Sequence, residues 1–516
     1  MNIDHWTQSQ GRFLSNKTAI IFQGHHEFAS SGPNTLTFSE LEQRVVTTCH
    51  LLRHHWQIDK GERIAWLGLN HPDMFVLLLA AARLGIIVVP MNWRLSVDEL
   101  GFIAKDCAPR ALFYDRLKEP EAEALSTALP TLATIPLGGK ADAGSLGQFI
   151  ANTNAIEQST LDHDVLATDP CLIVYTSGTT GRPKGAVLSH KAMICNALMS
   201  RHMYDLSHQD KVLNVLPLFH VGGINIQPLP ALMFGATLVL HQQFNPQQCM
   251  QAISDHPITL INCVPTILQA MQATTQWQDS DLSSLKSVSI GSTDVPRTLI
   301  EAVHARGIPL VQVYGATETG PIAIYQRPER AITTAGSIGQ AGLLCHVQLC
   351  DHQGKEVVNG QSGEICIRGN NLFDGYWQND EATHQAFRGQ WFRTGDIAHK
   401  DHNGDYWFDD RVKHVIISGG ENIYPAEIER VINALPQVAA VSVVGQPDEK
   451  WGEVSVAVIE LAAGASITKQ QVLDTCETKL ARFKRPKQVI FVDALPRNAM
   501  GKVIVAEVKN QIDALG

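Results

Sequence analysis

Short apolar runs bounded by turn residues recur along this chain: RIAWLGL from Arg63, GIIVVP from Gly85, CLIVYT from Cys171, LNVLPL from Leu213, ATLVLH from Ala236, SVSIG from Ser287 and LVQVYG from Leu310. Stretches with helical spacing separate several of them, such as Asp73 to Leu84 and Pro246 to Ser254. Short β-branched runs that alternate with helices have both faces to bury, so the pattern predicts mostly parallel sheets covered by helices, in an α/β fold.

From about Gly336 the pattern changes to HVQLCD, GKEVV, GEICIRG and GDYWFDD, separated by Gly, Asn and Asp turns. These read as the strands of a small antiparallel barrel still belonging to the first domain. Beyond Arg411, the residues Pro425 to Asn433 and Lys469 to Leu480 have helical spacing, while VAAVSVVGQ and EVSVAVIEL read as strands. A single hydrophobic core stops growing at roughly 250–300 residues, so 516 residues imply more than one domain. The expected division is 1–410 and a small α+β unit over 411–516.

Composition narrows the function. With 44% hydrophobic and 18% charged residues the chain is ordinary for a globular protein. A net charge of −10 argues against a nucleic-acid binder, which needs a basic face. Ten cysteines without a CxxC pair read as reduced, mostly buried thiols. The start, MNIDHWTQSQGRF, lacks the apolar core of a signal peptide, and the most apolar stretch, Phe75 to Pro90, is too short to span a bilayer. It reads as a buried helix followed by a strand, and the expected location is the cytoplasm, with no membrane span.

The string YTSGTTGRPKG, Tyr175 to Gly185, follows a strand and joins hydroxyl-bearing residues and glycines to a lysine. Glycines let N–H groups turn toward a phosphate, hydroxyls add donors and Lys184 adds charge. The spacing is not that of a Walker A loop, and composition alone also allows an ordinary Ser/Thr/Gly-rich surface loop. A second string, YGATETG from Tyr314, offers a carboxylate beside hydroxyls, donors suited to magnesium on a nucleotide.

Taken whole, YTSGTTGRPKG resembles the signature loop of the adenylate-forming superfamily of acyl-CoA synthetases, peptide-synthetase adenylation domains and luciferases. Further motifs of that family follow in order, from Ser189-His190 through LPLFHVGG to PRNAMGK near the C-terminus. The resemblance implies an ATP-dependent acid–CoA ligase that uses ATP, Mg2+ and CoA, with loading of a carrier protein as the alternative. It assigns Thr176, Ser177, Gly178, Thr179, Thr180, Gly181 and Lys184 to the phosphates. Glu318 falls to the metal, Thr317 to the α-phosphate, and Gly291, Ser292, Tyr314 and Gly315 to the adenine side. Asp396 and Arg411 would meet the ribose. Lys502 would be the adenylation lysine, Gly419 and Gly420 the thiol tunnel, and Lys413 the hinge of a mobile C-terminal domain.

The same resemblance lines the acyl pocket with His220, Gly223, Ala316 and Ile322 and their neighbours. These are small or apolar, and no arginine stands among them to pair a second carboxylate, which implies a monocarboxylic fatty or aryl acid. His220 reads equally as a gate to the carboxylate site or as a packed histidine. Where relatives often have GGAPL, this chain has GSTDV from Gly291, which puts the Asp294 contacts in doubt. DHNGD, Asp401 to Asp405, reads as a hairpin turn, because its spacing fails the EF-hand pattern. A homodimer is left open.

Overall fold

The computed structural model of the protein describes residues 2–24, 34–139, 142–153, 164–176, 183–292, 295–411, 414–418, 421–448, 451–480, 482–498 and 501–515. Two large sheets form its body. The nine-stranded sheet runs Gln340–Ala341, Ile324–Tyr325, Leu310–Tyr314, Ser287–Gly291, Leu260–Cys263, Lys211–Asn214, Thr237–His241, Thr18–Gln23 and Thr35–Thr37. It is parallel from Leu310–Tyr314 to Thr18–Gln23 and antiparallel only toward its edges.

The seven-stranded sheet runs Gly375–Tyr376, Lys184–Ser189, Pro170–Thr176, Ile87–Met91, Arg63–Leu67, Ala111–Tyr114 and Ala133–Pro136. Its first three strands pair antiparallel in succession, and the pairings from Pro170–Thr176 onward are parallel. Every apolar run named above from Arg63 to Tyr314 contributes a strand to one of these two sheets.

The stretch expected to be a buried helix and strand is one. Helix Pro72–Leu84 is buried at every position and shares one hydrophobic core with Ile20 and Leu238 of the first sheet and Ile64 and Val88 of the second. His71 caps its start by accepting the Asp73 N–H at 3.1 Å, and Gly85 ends it at φ 71°. Arg83 breaks the apolar pattern yet lies inside. Its guanidinium donates to both oxygens of Asp4 (2.7 and 2.9 Å) and both of Glu42 (3.0 and 2.8 Å), which compensates the loss of water around the charge.

The expected small barrel is a curled five-stranded antiparallel sheet of Cys345–Cys350, Gly363–Gly369, Trp391–Lys400, Phe387–Arg388 and Tyr406–Arg411. GKEVV is not one of its strands. The Asp351 N–H bonds Lys355 O at 2.9 Å, so the chain reverses tightly and returns for a single bridge, Cys350 to Glu356. DHNGD is the hairpin turn expected: Gly404 stands at φ 85°, and the Asp401 carboxylate accepts the N–H groups of Asn403 and Asp405.

The remaining sheet pairs Glu421–Ile423, Ile416–Ser418, Gly452–Leu461 and Val438–Asp448, with Gln488–Val492 parallel to Gly452–Leu461. Helices Pro425–Asn433 and Lys469–Lys479 cover one face and Val505–Leu515 the other, over two clusters drawn only from residue 416 onward. At the junction, buried Asp410 accepts the N–H groups of Arg411 (2.6 Å) and of Ala426 (2.8 Å) in the first turn of Pro425–Asn433. All ten cysteines are free, and all but Cys195 are buried. Among the described residues no helix is long and apolar enough to cross a membrane.

Candidate active site

The glycine- and hydroxyl-rich string sits at the end of a hairpin. Strands Pro170–Thr176 and Lys184–Ser189 pair antiparallel, and Thr176 opposite Lys184 is the last pair before the loop. Ser177, Gly178, Thr179, Thr180 and Gly181 lie outside the described residues. The base of the loop is tightly built: a Cβ on Gly185 would stand 2.7 Å from an Ile173 methyl and 3.1 Å from the Tyr175 ring. The Tyr175 hydroxyl donates to the Asp106 carboxylate, and Trp377 Nε1 donates to the Asp106 carbonyl at 3.2 Å.

Lys184 and Glu318 meet through a residue that sequence reasoning missed. The Lys184 ammonium lies 5.3 Å from the centroid of the Tyr376 ring, and the Tyr376 hydroxyl donates to Glu318 Oε1 at 2.8 Å. Glu318 is in a short 3-10 turn, Thr317–Thr319, laced to the chain before Tyr376. Phe373 N–H bonds Glu318 O at 2.9 Å, and Asn371 Nδ2 bonds Thr319 O at 2.9 Å. A signal was present in the sequence only as the tyrosine of GYW, with nothing local to say what it faces.

Tyr314, Asp396 and Arg411 form the second constellation. Tyr314 Oη donates to Asp396 Oδ2 at 2.8 Å, and Arg411 Nε lies 3.0 Å from Oδ1. Asp396 and Arg411 are register partners on neighbouring strands, which fixes their distance through the backbone. Burial, with the Asp396 carboxylate beside it, holds the Tyr314 phenol well above its ordinary pKa, so it remains a donor. Each carboxylate oxygen has two lone-pair positions, so Asp396 retains capacity for further donors such as sugar hydroxyls.

Two glycines at this end are required by packing. A Cβ on Gly291 would stand 2.3 Å from Val313 O, and one on Gly315 only 1.8 Å from Pro321 O. Ser292 takes a positive φ of 78°, an uncommon choice for a residue with a side chain, and Asp294 lies outside the described residues.

At the expected acyl pocket, His220 packs at a tilt against Phe219 with centroids 4.4 Å apart, and its buried Nε2 has no hydrogen-bond partner among the described residues. Burial, reinforced by Arg94, lowers its pKa to about 4, so the ring is neutral near pH 7. An arginine does reach this corner, from another segment. The Arg94 guanidinium lies 5.6 Å from the Phe219 centroid and 4.8 Å from that of Trp93. The sequence reading, confined to nearby motifs, did not see it, so the absence of an arginine does not carry the choice of a monocarboxylate. Gly223 packs directly under the Pro217 carbonyl, where a Cβ would come within 2.1 Å, and Ile322 is fully buried with its N–H on Asn196 Oδ1 at 3.0 Å. Ala316 is half-buried at the mouth of the Glu318 turn.

In the C-terminal unit, Lys502 stands in a turn in which its own N–H bonds Asn498 Oδ1 at 3.0 Å and its carbonyl accepts the Asn498 N–H at 2.8 Å. Gly501 in the same turn has φ 76°. Gly419 and Gly420, between the paired residues Ser418 and Glu421, lie outside the described residues, as does Lys413.

Among the described residues no group of three or more His, Cys, Asp or Glu could cage a metal. One carboxylate, Glu318, beside a lysine fits magnesium that arrives on phosphates and keeps most of its ligands from phosphate and water.

Known proteins resemble this chain over nearly its whole length. The profile of the AMP-binding enzyme family matches residues 7–377, and that of the AMP-binding enzyme C-terminal domain matches residues 427–502. The indoleacetate–CoA ligase of Aromatoleum aromaticum is 44% identical over 99% of this chain and 98% of its own. A long-chain-fatty-acid–CoA ligase of Mycobacterium tuberculosis is 35% identical over 89% of both chains. Among solved structures, ATP-bound MatB from Rhodopseudomonas palustris superposes with a TM-score of 0.89 at 28% identity, covering 99% of both chains. O-succinylbenzoate coenzyme A synthetase of Bacillus subtilis, in complex with ATP and magnesium ion, gives 0.85 at 28% identity over 98% of this chain and 99% of that one. The chain belongs to the AMP-binding enzymes, and within them to the AMP-forming acid–CoA ligases that use ATP, Mg2+ and CoA.

Proposed function

We propose that this ligase activates a monocarboxylic acid with an apolar body, an aryl acid before a fatty acid, using the two constellations described above. The observation that carries the nucleotide reading is Tyr314 and Arg411 converging on the two oxygens of one buried carboxylate, Asp396, together with Lys184 and Glu318 joined through Tyr376. The preference for an aryl acid draws on the 44% identical indoleacetate–CoA ligase and on a feruloyl-CoA synthase of Amycolatopsis, 36% identical over 98% of both chains.

The reaction has two halves: an acyl-adenylate forms with release of pyrophosphate, and a thiol then takes the acyl group with release of AMP. In the first half a carboxylate must approach an anionic α-phosphate, so positioning and charge stabilisation carry the catalysis. Lys184 and the backbone and hydroxyls of Thr176 to Gly181 take the phosphates, and Thr317 takes an α-phosphate oxygen. Glu318 anchors the magnesium, which when bound screens phosphate charge. Asp396 and Arg411 hold the sugar, with Tyr314, Gly291, Ser292 and Gly315 against the base.

Lys502 supplies an ammonium to the reacting carboxylate and α-phosphate. The unit over 411–516 then turns about Lys413, which withdraws Lys502 and brings Gly419 and Gly420 to the thiol path. A separate core in that unit supports such a swing. Neutral His220 and Phe219 stand at the acyl pocket with Ala316, Gly223 and Ile322 behind. The ten free thiols support a cytoplasmic setting, and light scattering decides whether the enzyme is a homodimer.

Acid-dependent AMP release measured across aryl, fatty and dicarboxylic acids, with and without CoA, tests this reading. Fastest CoA-dependent turnover with an arylacetate or a hydroxycinnamate is expected. Preference for a dicarboxylate, or full turnover without CoA, would overturn it.

A further inference from the structure

The segment Asn371–Trp377 is bonded on both sides to nucleotide motifs. On one side the Asp374 N–H bonds Val187 O at 2.9 Å, the Trp377 N–H bonds Gly185 O at 2.7 Å, and Tyr376 pairs with Ala186, so the segment lies antiparallel beside the strand that carries Lys184. On the other side Asn371 and Phe373 hold the backbone of the Glu318 turn. The two attachments converge on one side chain. Tyr376 presents its ring to the Lys184 ammonium at 5.3 Å and its hydroxyl to Glu318 Oε1 at 2.8 Å, while Phe373 braces the ring with centroids 4.9 Å apart.

We propose that Tyr376 is a positioning residue that fixes the Glu318 carboxylate relative to the Lys184 ammonium, occupying Oε1 so that the other oxygen is directed to the magnesium of the bound nucleotide. This rests on the assignment of Lys184 and Glu318 to MgATP made above. A cation–π contact and a charge-assisted hydrogen bond together leave a long lysine and a glutamate less freedom than either would have on a bare loop. Burial, with Glu318 alongside, keeps the hydroxyl protonated well beyond the usual phenol range, so it donates at every working pH. The result is a preorganised pair, lysine for phosphate and carboxylate for cation, that needs no rearrangement when the nucleotide enters.

The test is calorimetric binding of α,β-methylene-ATP, with and without Mg2+, to the full-length wild type, Tyr376→Phe and Tyr376→Leu, each checked for an unchanged thermal midpoint. Wild type is expected to bind the analogue more tightly with Mg2+. In Tyr376→Phe, which keeps the ring, the gain from Mg2+ should shrink by at least about tenfold while metal-free binding stays within about twofold. Tyr376→Leu should lose metal-free affinity as well, because Lys184 loses its ring. A Tyr376→Phe protein with the full gain from Mg2+ would overturn the positioning role alone. A wild type with no gain from Mg2+ would instead remove the assignment of Glu318 beneath it, and the proposal with it. If Tyr376→Phe proves unstable, the half-saturating Mn2+ for the wild type and for Tyr376→Leu, read by electron paramagnetic resonance with the analogue bound, decides the matter. Equal values for those two proteins would overturn the proposal.

Discussion

The Tyr314 hydroxyl reaches Asp396 Oδ2 at 2.8 Å, joining the last residue of a parallel strand to the curled antiparallel sheet. Two architectures are thereby pinned at the point where the nucleotide sugar is assigned. Tyr314→Phe removes a donor from a buried carboxylate without changing the ring. The expected result is an ATP KM raised about tenfold in acid-dependent pyrophosphate exchange, with a smaller change in kcat. An unchanged KM would separate Asp396 from nucleotide binding.

Alternation of the C-terminal unit predicts opposite phenotypes for two residues. Lys502→Ala should slow adenylation by roughly 10²–10³-fold, the scale of one preorganised electrostatic group, and leave thioester formation from supplied acyl-adenylate intact. Gly420→Leu should spare pyrophosphate exchange and block CoA, since only a residue without a side chain lets a ligand pass so close to the backbone. Loss of both half-reactions in either variant contradicts the swing.

Three histidines held largely out of water predict acid sensitivity. His190, His220 and His241 each have pKa values lowered to about 4, in every case chiefly by burial. Between about pH 6.5 and 4 the unfolded chain therefore binds more protons than the folded one, and stability rises with pH in that window and is lost as pH falls through it. Thermal midpoints should fall steadily from pH 7 to 4.5. Neither ring nitrogen of His241 has a hydrogen-bond partner among the described residues, so His241→Leu should flatten that slope; an unaltered slope assigns the acid response to other groups.

The parallel strands were legible because each has two faces to bury, and the motifs were legible because phosphate chemistry needs glycine, hydroxyl and lysine close together in sequence. Long-range pairings were not. Tyr376 and Glu318 are 58 positions apart, and nothing near either names the other. Arg94 reaches Phe219 from beyond a different strand, so a pocket inferred from its own motifs missed a cation at its edge. GKEVV failed as a strand because a tight reversal at Asp351 leaves only a one-residue bridge, a matter of turn geometry that apolar content does not report. Gly223, assigned to the pocket wall, owes its smallness to the Pro217 carbonyl pressed against it.

The ion cluster around Arg83 reaches back almost to the first residue of the chain, and this sets how far the N-terminus tolerates trimming. The family profile begins at residue 7, so a fragment cut at that boundary would discard Asp4 and keep the guanidinium it neutralises. Glu42 would still hold the guanidinium, so the loss is that of its two bonds to Asp4, about 1–3 kcal/mol. Such a fragment, though it retains every residue assigned to chemistry, should melt at a lower temperature than the full chain, and Arg83→Leu in the same fragment should lower the midpoint further, because Glu42 then loses its partner.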